Sequence, residues 1–165
     1  RRDTSMCVQA YNLVSKNAVS KNIKGGLVTV KKMKKAQALV IAQRILMEVG
    51  MKGYDDYYPV QLSGGQQQRI GIARSLAMDP EVILFDEPTS ALDAVNQKLV
   101  LDLLQKLHSE QPFGYVFVSH DIGLLQAVTD RIIVMKDGQI VEVIESKRLK
   151  EAVHPYTQAL VEASV

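Results

Sequence analysis

Apolar residues recur at helical spacing over Ala38, Leu39, Ala42, Ile45, Leu46 and Val49, with Gln43, Arg44 and Glu48 between them and Gly50 where a helix stops. The spacing predicts a helix over about 34–49. Residues 51–59 hold Gly53, two aspartates, three tyrosines and a proline, which is turn chemistry and predicts a loop. Ser63 then precedes Gln66 by three positions, the spacing of a capping box. Ile70, Ala73, Arg74 and Ala77 continue at helical intervals as far as Asp79 and Pro80, predicting a second helix over about 64–78.

Beyond Pro80 the pattern changes. Val82, Ile83, Leu84 and Phe85 form a continuous apolar run, as expected of a strand buried on both faces of a parallel sheet, with Asp86 at its carboxyl end. Val95, Leu99, Leu103, Leu104 and Leu107 line one side of a long helical pattern. Residues 115–119 read as another buried strand ending at His120, and strand, helix, strand is a crossover unit. Residues 122–128 read as a helix and 131–135 as a strand. Asp137-Gly138 is a tight-turn signal into 139–144, closing the sheet with a hairpin. Residues 146–165 read as short helices broken at Pro155.

The 165 residues are 47% apolar and 23% charged, with ten Gly and five Pro, a globular composition that excludes disorder and collagen. No apolar run approaches the roughly 20 residues of a membrane-spanning helix. The single cysteine, Cys7, allows no internal disulfide, and an intracellular location is expected. The net charge of +2 hides a split: residues 1–60 hold eleven Lys and Arg against four acids, and residues 61–165 nine against fourteen. Lys31, Lys32, Lys34 and Lys35 form the most basic cluster, read first as a solvated helix entry, with contact to a partner or to anionic headgroups as the sharper alternative. With so small a total charge and 5% aromatic residues, no nucleic-acid partner is expected.

Three constellations could carry chemistry. Ser63, Gly64, Gly65 and Gln66 stand at the start of a predicted helix, where unpaired N–H groups and the positive end of the dipole can hold a phosphate; the same residues also make a simple capped start. Asp86 and Glu87 end a strand where ligands of parallel sheets bind. Such a pair can hold Mg²⁺ and activate water, or can merely begin a solvated loop. His120 also follows a strand, and its imidazole should lie near Asp86 and Glu87 if the two strands are neighbours.

Together these residues resemble the nucleotide-binding subunits of ABC transporters. Leu62 to Gln66 matches the family's signature, Val82 to Glu87 looks like its Walker B strand with the catalytic glutamate, Ser90-Ala91-Leu92-Asp93 resembles the D-loop, His120 the switch histidine and Gln9 the Q-loop glutamine. Ala94 stands where relatives often have proline, and Ser119 where threonine is common. The resemblance implies an α/β fold: part of a P-loop NTPase (RecA-like) parallel sheet with an inserted helical subdomain. Residues 1–11 would end a core segment with the Q-loop, 12–80 would form the helical subdomain and 81–165 the later part of the core. It also implies ATP and Mg²⁺ as ligands and a head-to-tail dimer, in which Ser63, Gly64, Gly65, Gln66 and Asp93 face the nucleotide of a second ATPase subunit. Asp86 and Gln9 would attend the metal, Glu87 would act as general base and His120 would contact the γ-phosphate.

None of the ten glycines is followed by lysine, so the Walker A loop G-x-x-x-x-G-K-[ST] is absent from the sequence. A fragment of a longer subunit is therefore expected, inactive by itself. The resemblance implies the ATPase of an importer, bound to transmembrane permease subunits on the cytoplasmic face of the membrane. Tyr11-Asn12-Leu13, the segment from Val30 to Ala36 and the triple glutamine after the signature resemble importers of polar amino acids. The stretch from His154 to Leu160 resembles di- and oligopeptide or nickel importers. A truncated, non-catalytic partner that donates its signature face in trans is the alternative. A soluble ABC protein of translation or DNA repair would normally show two cassettes or a long insertion.

Overall fold

Strands and helices alternate along the chain in the computed structural model, which describes residues 4–8, 13–110 and 113–164. They separate into two units, Arg1–Val118 and Ser119–Val165. In the first, three parallel strands, β1 (Thr4–Val8), β2 (Val82–Asp86) and β3 (Gly114–Val118), lie in the order β1-β2-β3, with Asp86 in register with Val8 on one side and Val118 on the other. This is the parallel sheet of an α/β fold, as expected. On the central strand Ile83 and Phe85 are buried, and the Phe85 ring meets Tyr115 and Phe117 of β3 with centroids 6.2 and 5.9 Å apart.

β3 corrects the expectation of a strand buried on both faces. It starts and ends one residue early, and Phe117 is buried while Val116 is 54% and Val118 45% exposed. Alternate residues of an extended strand point to opposite faces, and only the Phe117 face is covered. The helix α4 (Ala94–Glu110) is corrected too. Its buried line is Val100, Leu104 and Leu107, whereas Val95 is 71% and Leu99 44% exposed. Apolar residues crowd this helix so densely that two lines of similar spacing compete, and packing selects the one through Val100.

The helices α1 (Val19–Thr29), α2 (Lys35–Glu48) and α3 (Gly64–Ala77) pack on one another, and α3 also reaches β1 and α4. α2 and α3 match their sequence-based bounds within a residue. Around α3, Gly65, Gln68, Ile70, Gly71, Ile72, Ala73, Ser75 and Ala77 are all buried, small residues letting neighbours approach on every side. α1 has no counterpart in the periodicity, because its start is held from outside. Ala18 offers no side-chain cap, and the carbonyls of Tyr57 and Asp55 accept the N–H groups of Val19 and Ser20 at 2.8 and 2.9 Å. The buried Asn22 amide donates to Val14 and Asn17, and its oxygen accepts the Val14 N–H at 2.7 Å. At Gly26 an added Cβ would stand 2.8 Å from Met78 Sδ, so α1 lies tight on the end of α3.

The second unit holds α5 (Ile122–Val128), β4 (Arg131–Lys136), β5 (Gln139–Glu145), a 3-10 segment (Ser146–Glu151) and α6 (Pro155–Glu162). Asp137 and Gly138, at φ 50° and 77°, make the tight turn that their sequence spells. The hairpin does not close the parallel sheet as expected. β4 and β5 form an antiparallel two-stranded sheet of their own, since a hairpin satisfies its ladder without a further strand. Ile122, Ile132, Val134 and Leu149 make its core, with Tyr156 and Leu160 packed against them. The Glu142 carboxylate accepts the N–H groups of Val153 and His154 at 2.8 and 3.2 Å and so ties the tail to β5. Among the described residues no helix is long and apolar enough to cross a membrane.

Candidate functional site

The start of α3 is built by a reciprocal cap. The Ser63 hydroxyl oxygen accepts the Gln66 N–H at 3.3 Å, and the Gln66 side-chain oxygen accepts the Ser63 N–H at 2.9 Å. The other end of the Gln66 amide donates to the Tyr54 hydroxyl at 3.2 Å, which fixes the cap to the preceding loop. Leu62 and Pro59 are buried beneath that loop, while Ser63 itself is exposed. The simple-cap reading is thus present in full, and it leaves the anion reading room. A serine hydroxyl has one proton and two lone pairs, so its O–H can still donate outward while its oxygen accepts from Gln66. The first N–H groups of a helix have no intrahelical acceptor, and no acidic residue stands in the first turn of α3 to compete for them.

At the carboxyl end of β2, Asp86 and Glu87 are both half-buried. Glu87 has φ +44°, a left-handed conformation uncommon for a residue with a side chain. Three bonds hold it there. Its N–H donates to the Val118 carbonyl at 2.9 Å, and its own carbonyl accepts the Ser90 N–H at 3.3 Å and the Ser90 hydroxyl at 3.0 Å. Such strain persists only where the surroundings over-determine it, and it is concentrated at functional sites. Pro88 and Thr89 are buried beneath the turn, which runs on to Asp93.

Asp93 caps α4. Its two carboxylate oxygens accept the Asn96 N–H at 2.9 Å and the Asn96 side-chain amide at 2.6 Å. The backbone and then the side chain of Asn96 hold the Asp93 carboxyl below its ordinary value, although the residue is exposed. Asn96 in turn lies against the signature, where an added Cβ on the buried Gly65 would stand 2.6 Å from Asn96 Oδ1. The structure therefore brings the signature and the D-loop together through a residue that the motifs did not single out. Its signal was available as an Asp-x-x-Asn spacing at a helix start.

His120 is exposed and lies in the second unit. Its neighbours in sequence are anchored, since Asp121 N–H donates to Ser119 Oγ at 3.0 Å and the Asp121 carboxylate caps α5 through Leu124 N–H at 2.9 Å. β2 and β3 are neighbours in the sheet, and His120 follows the end of β3 by two residues. Gln9 lies outside the described residues. Among the described residues no group of three or more His, Cys, Asp or Glu side chains could enclose a metal ion. A carboxylate pair at a strand end fits Mg²⁺ nevertheless, since this ion keeps several waters and is bound through one or two carboxylates together with substrate phosphates.

A family model described as ABC transporter matches residues 1–90. A probable amino-acid ABC transporter ATP-binding protein of Haemophilus influenzae is 46% identical over 144 residues, 86% of this chain and 55% of the relative. An L-cystine import ATP-binding protein of Bacillus subtilis is 45% identical over 142 residues, 86% of this chain and 57% of the relative. An oligopeptide transport ATP-binding protein of Streptococcus pneumoniae is 46% identical over 123 residues, 73% of this chain and 40% of the relative. The chain thus spans 40–57% of the length of these relatives.

Proposed function

We propose, because this chain belongs to the ABC transporter family, that it is part of an ATP-binding subunit that energises import of polar amino acids. The observation that carries the reading is the start of α3: a capped helix end with two glycines, no acid in its first turn and a serine proton left to donate. The amino-acid assignment is supported by the relatives, whose names speak of amino-acid and L-cystine transport and match 86% of the chain, against 73% for the oligopeptide relative. Within this reading residues 12–80 are the helical subdomain and 81–165 the later part of the core.

In the assembled protein the two faces of the site have different tasks. Ser63 and the N–H groups of Gly64 and Gly65 would bind the terminal phosphate of ATP held by a second subunit in a head-to-tail dimer, with Gln66 and Asp93 shaping that face. Asp86 would hold Mg²⁺, directly or through water, with Gln9 beside it. When bound, the ion neutralises charge on the phosphates. Glu87, fixed by Val118 and Ser90, would take the proton of the attacking water, and His120 would orient the γ-phosphate. No Walker A pattern occurs within these 165 residues. The permease subunits would hold the ATPase pair on the cytoplasmic face of the membrane.

A second reading, in which this chain only donates its signature face to a complete subunit, shares the same α3 start. One experiment separates them. Glu87→Gln in the assembled transporter should slow ATP hydrolysis by roughly a hundred- to ten-thousand-fold, the range for loss of a general base. An unchanged rate would remove Glu87 from catalysis and leave the donor reading in its place.

A further inference from the structure

We propose that Asn96 is a positioning residue that links the D-loop to the signature, so that a movement of the turn at Asp93 is passed to the first turn of α3. The link has two joints. At one, Asn96 is clamped by Asp93 through its backbone N–H and its side-chain amide, at 2.9 and 2.6 Å. Hydrogen bonds to a carboxylate are about twice as strong as neutral ones, so the side chain is not free to swing aside. At the other joint Gly65 is buried, and a Cβ placed there would stand 2.6 Å from Asn96 Oδ1, 3.0 Å from its Cγ and 3.3 Å from its Cβ. No hydrogen on Gly65 reaches as far as a methyl group would, and the two surfaces rest on each other.

Gly65 therefore has a task beyond any approach to phosphate: it leaves room for Asn96. A D-loop displaced by a partner would draw Asn96 with it and open or tilt the start of α3, changing the face that carries Ser63 and Gly64. This consequence rests on the ATP reading above. The contact itself does not.

The test uses amide resonances of the ¹⁵N-labelled 165-residue chain, with no nucleotide present, so that its failure and the failure of the transport reading are separate results. Asn96→Ala should displace the signals of Gly64, Gly65 and Gln66 as well as those of the first turn of α4. The exchange Asp93→Asn with Asn96→Asp, which inverts donor and acceptor but keeps the pair, should return the signature signals to their original positions. Gly65→Ala should lower the urea midpoint, and adding Asn96→Ala should recover most of that loss, because the added methyl then has space. Displacement confined to α4, as a mere cap would give, overturns the proposal. So does an exchange variant whose signature signals stay displaced, or strict additivity of Gly65→Ala and Asn96→Ala. If Asn96→Ala alone does not fold, the exchange variant decides, since it retains the clamp.

Discussion

α2 and α3 are both 14 residues long, and they begin in opposite ways. α2 starts after Lys34 with no side-chain cap, and Lys34 and Lys35 set two cations at the positive end of its dipole. It is held by its packed face, with Ala38, Ala42, Ile45 and Leu46 buried. α3 has a buried face at least as complete and adds to it a reciprocal Ser63–Gln66 cap and two glycines, tied to Tyr54 in the loop and resting on Asn96. A helix in this fold can do without an attended start. The elaborate start of α3 is more than folding requires, which is what a binding surface built on a helix end looks like.

The largest effect should come from packing in α2. Leu46→Ala removes a fully buried side chain and is expected to cost about 2–5 kcal/mol in urea unfolding; a loss no greater than that of a cap would break the comparison. Ser63→Ala should cost about 0.5–2 kcal/mol, and Gln66→Ala should add less than its own share, because both belong to one box. In the opposite direction, Lys34→Asp supplies a cap where the backbone is already extended and should stabilise by about 0.5–1 kcal/mol. No gain would mean that the start of α2 has a partner of its own.

The smallest effect concerns acid. The Asp93 carboxyl lies below its ordinary 3.8, so its cap contributes fully above that value and is lost as pH falls through the depressed one. Asp93→Asn should remove this part of the acid transition and lower the urea midpoint in the neutral range, where the carboxylate contributes fully, so that variant and parent converge as pH falls below about 3.8.

What was legible in the chain beforehand follows the same division between local and distant causes. The bounds of α2 and α3, the Asp137-Gly138 turn and the carboxylate pair after β2 all rest on residues close in sequence, and each stands where the pattern puts it. α1 could not be read, because loop carbonyls of Asp55 and Tyr57 and the Asn22 amide hold its start and end-on neighbour, none of them at helical spacing. On α4 the apolar residues offer two lines, and only the packed structure chooses Val100, Leu104 and Leu107. At the site, the motif segments are visible as residue types, but the contact between Gly65 and Asn96 is not, since it joins positions 31 residues apart. The strain at Glu87 was equally hidden, for it depends on β3 supplying the Val118 carbonyl.

The most direct measurement is ATP hydrolysis by the assembled transporter carrying Ser63→Asp. Aspartate caps a helix as well as serine does, so α3 and the urea midpoint should be unchanged within about 0.5 kcal/mol. On the proposed reading a carboxylate at this position would meet the phosphate as a like charge, a juxtaposition that costs several kcal/mol, and we predict a loss of about a hundredfold or more in turnover. Undiminished hydrolysis in a variant of normal stability would show that the start of α3 is a cap and nothing more.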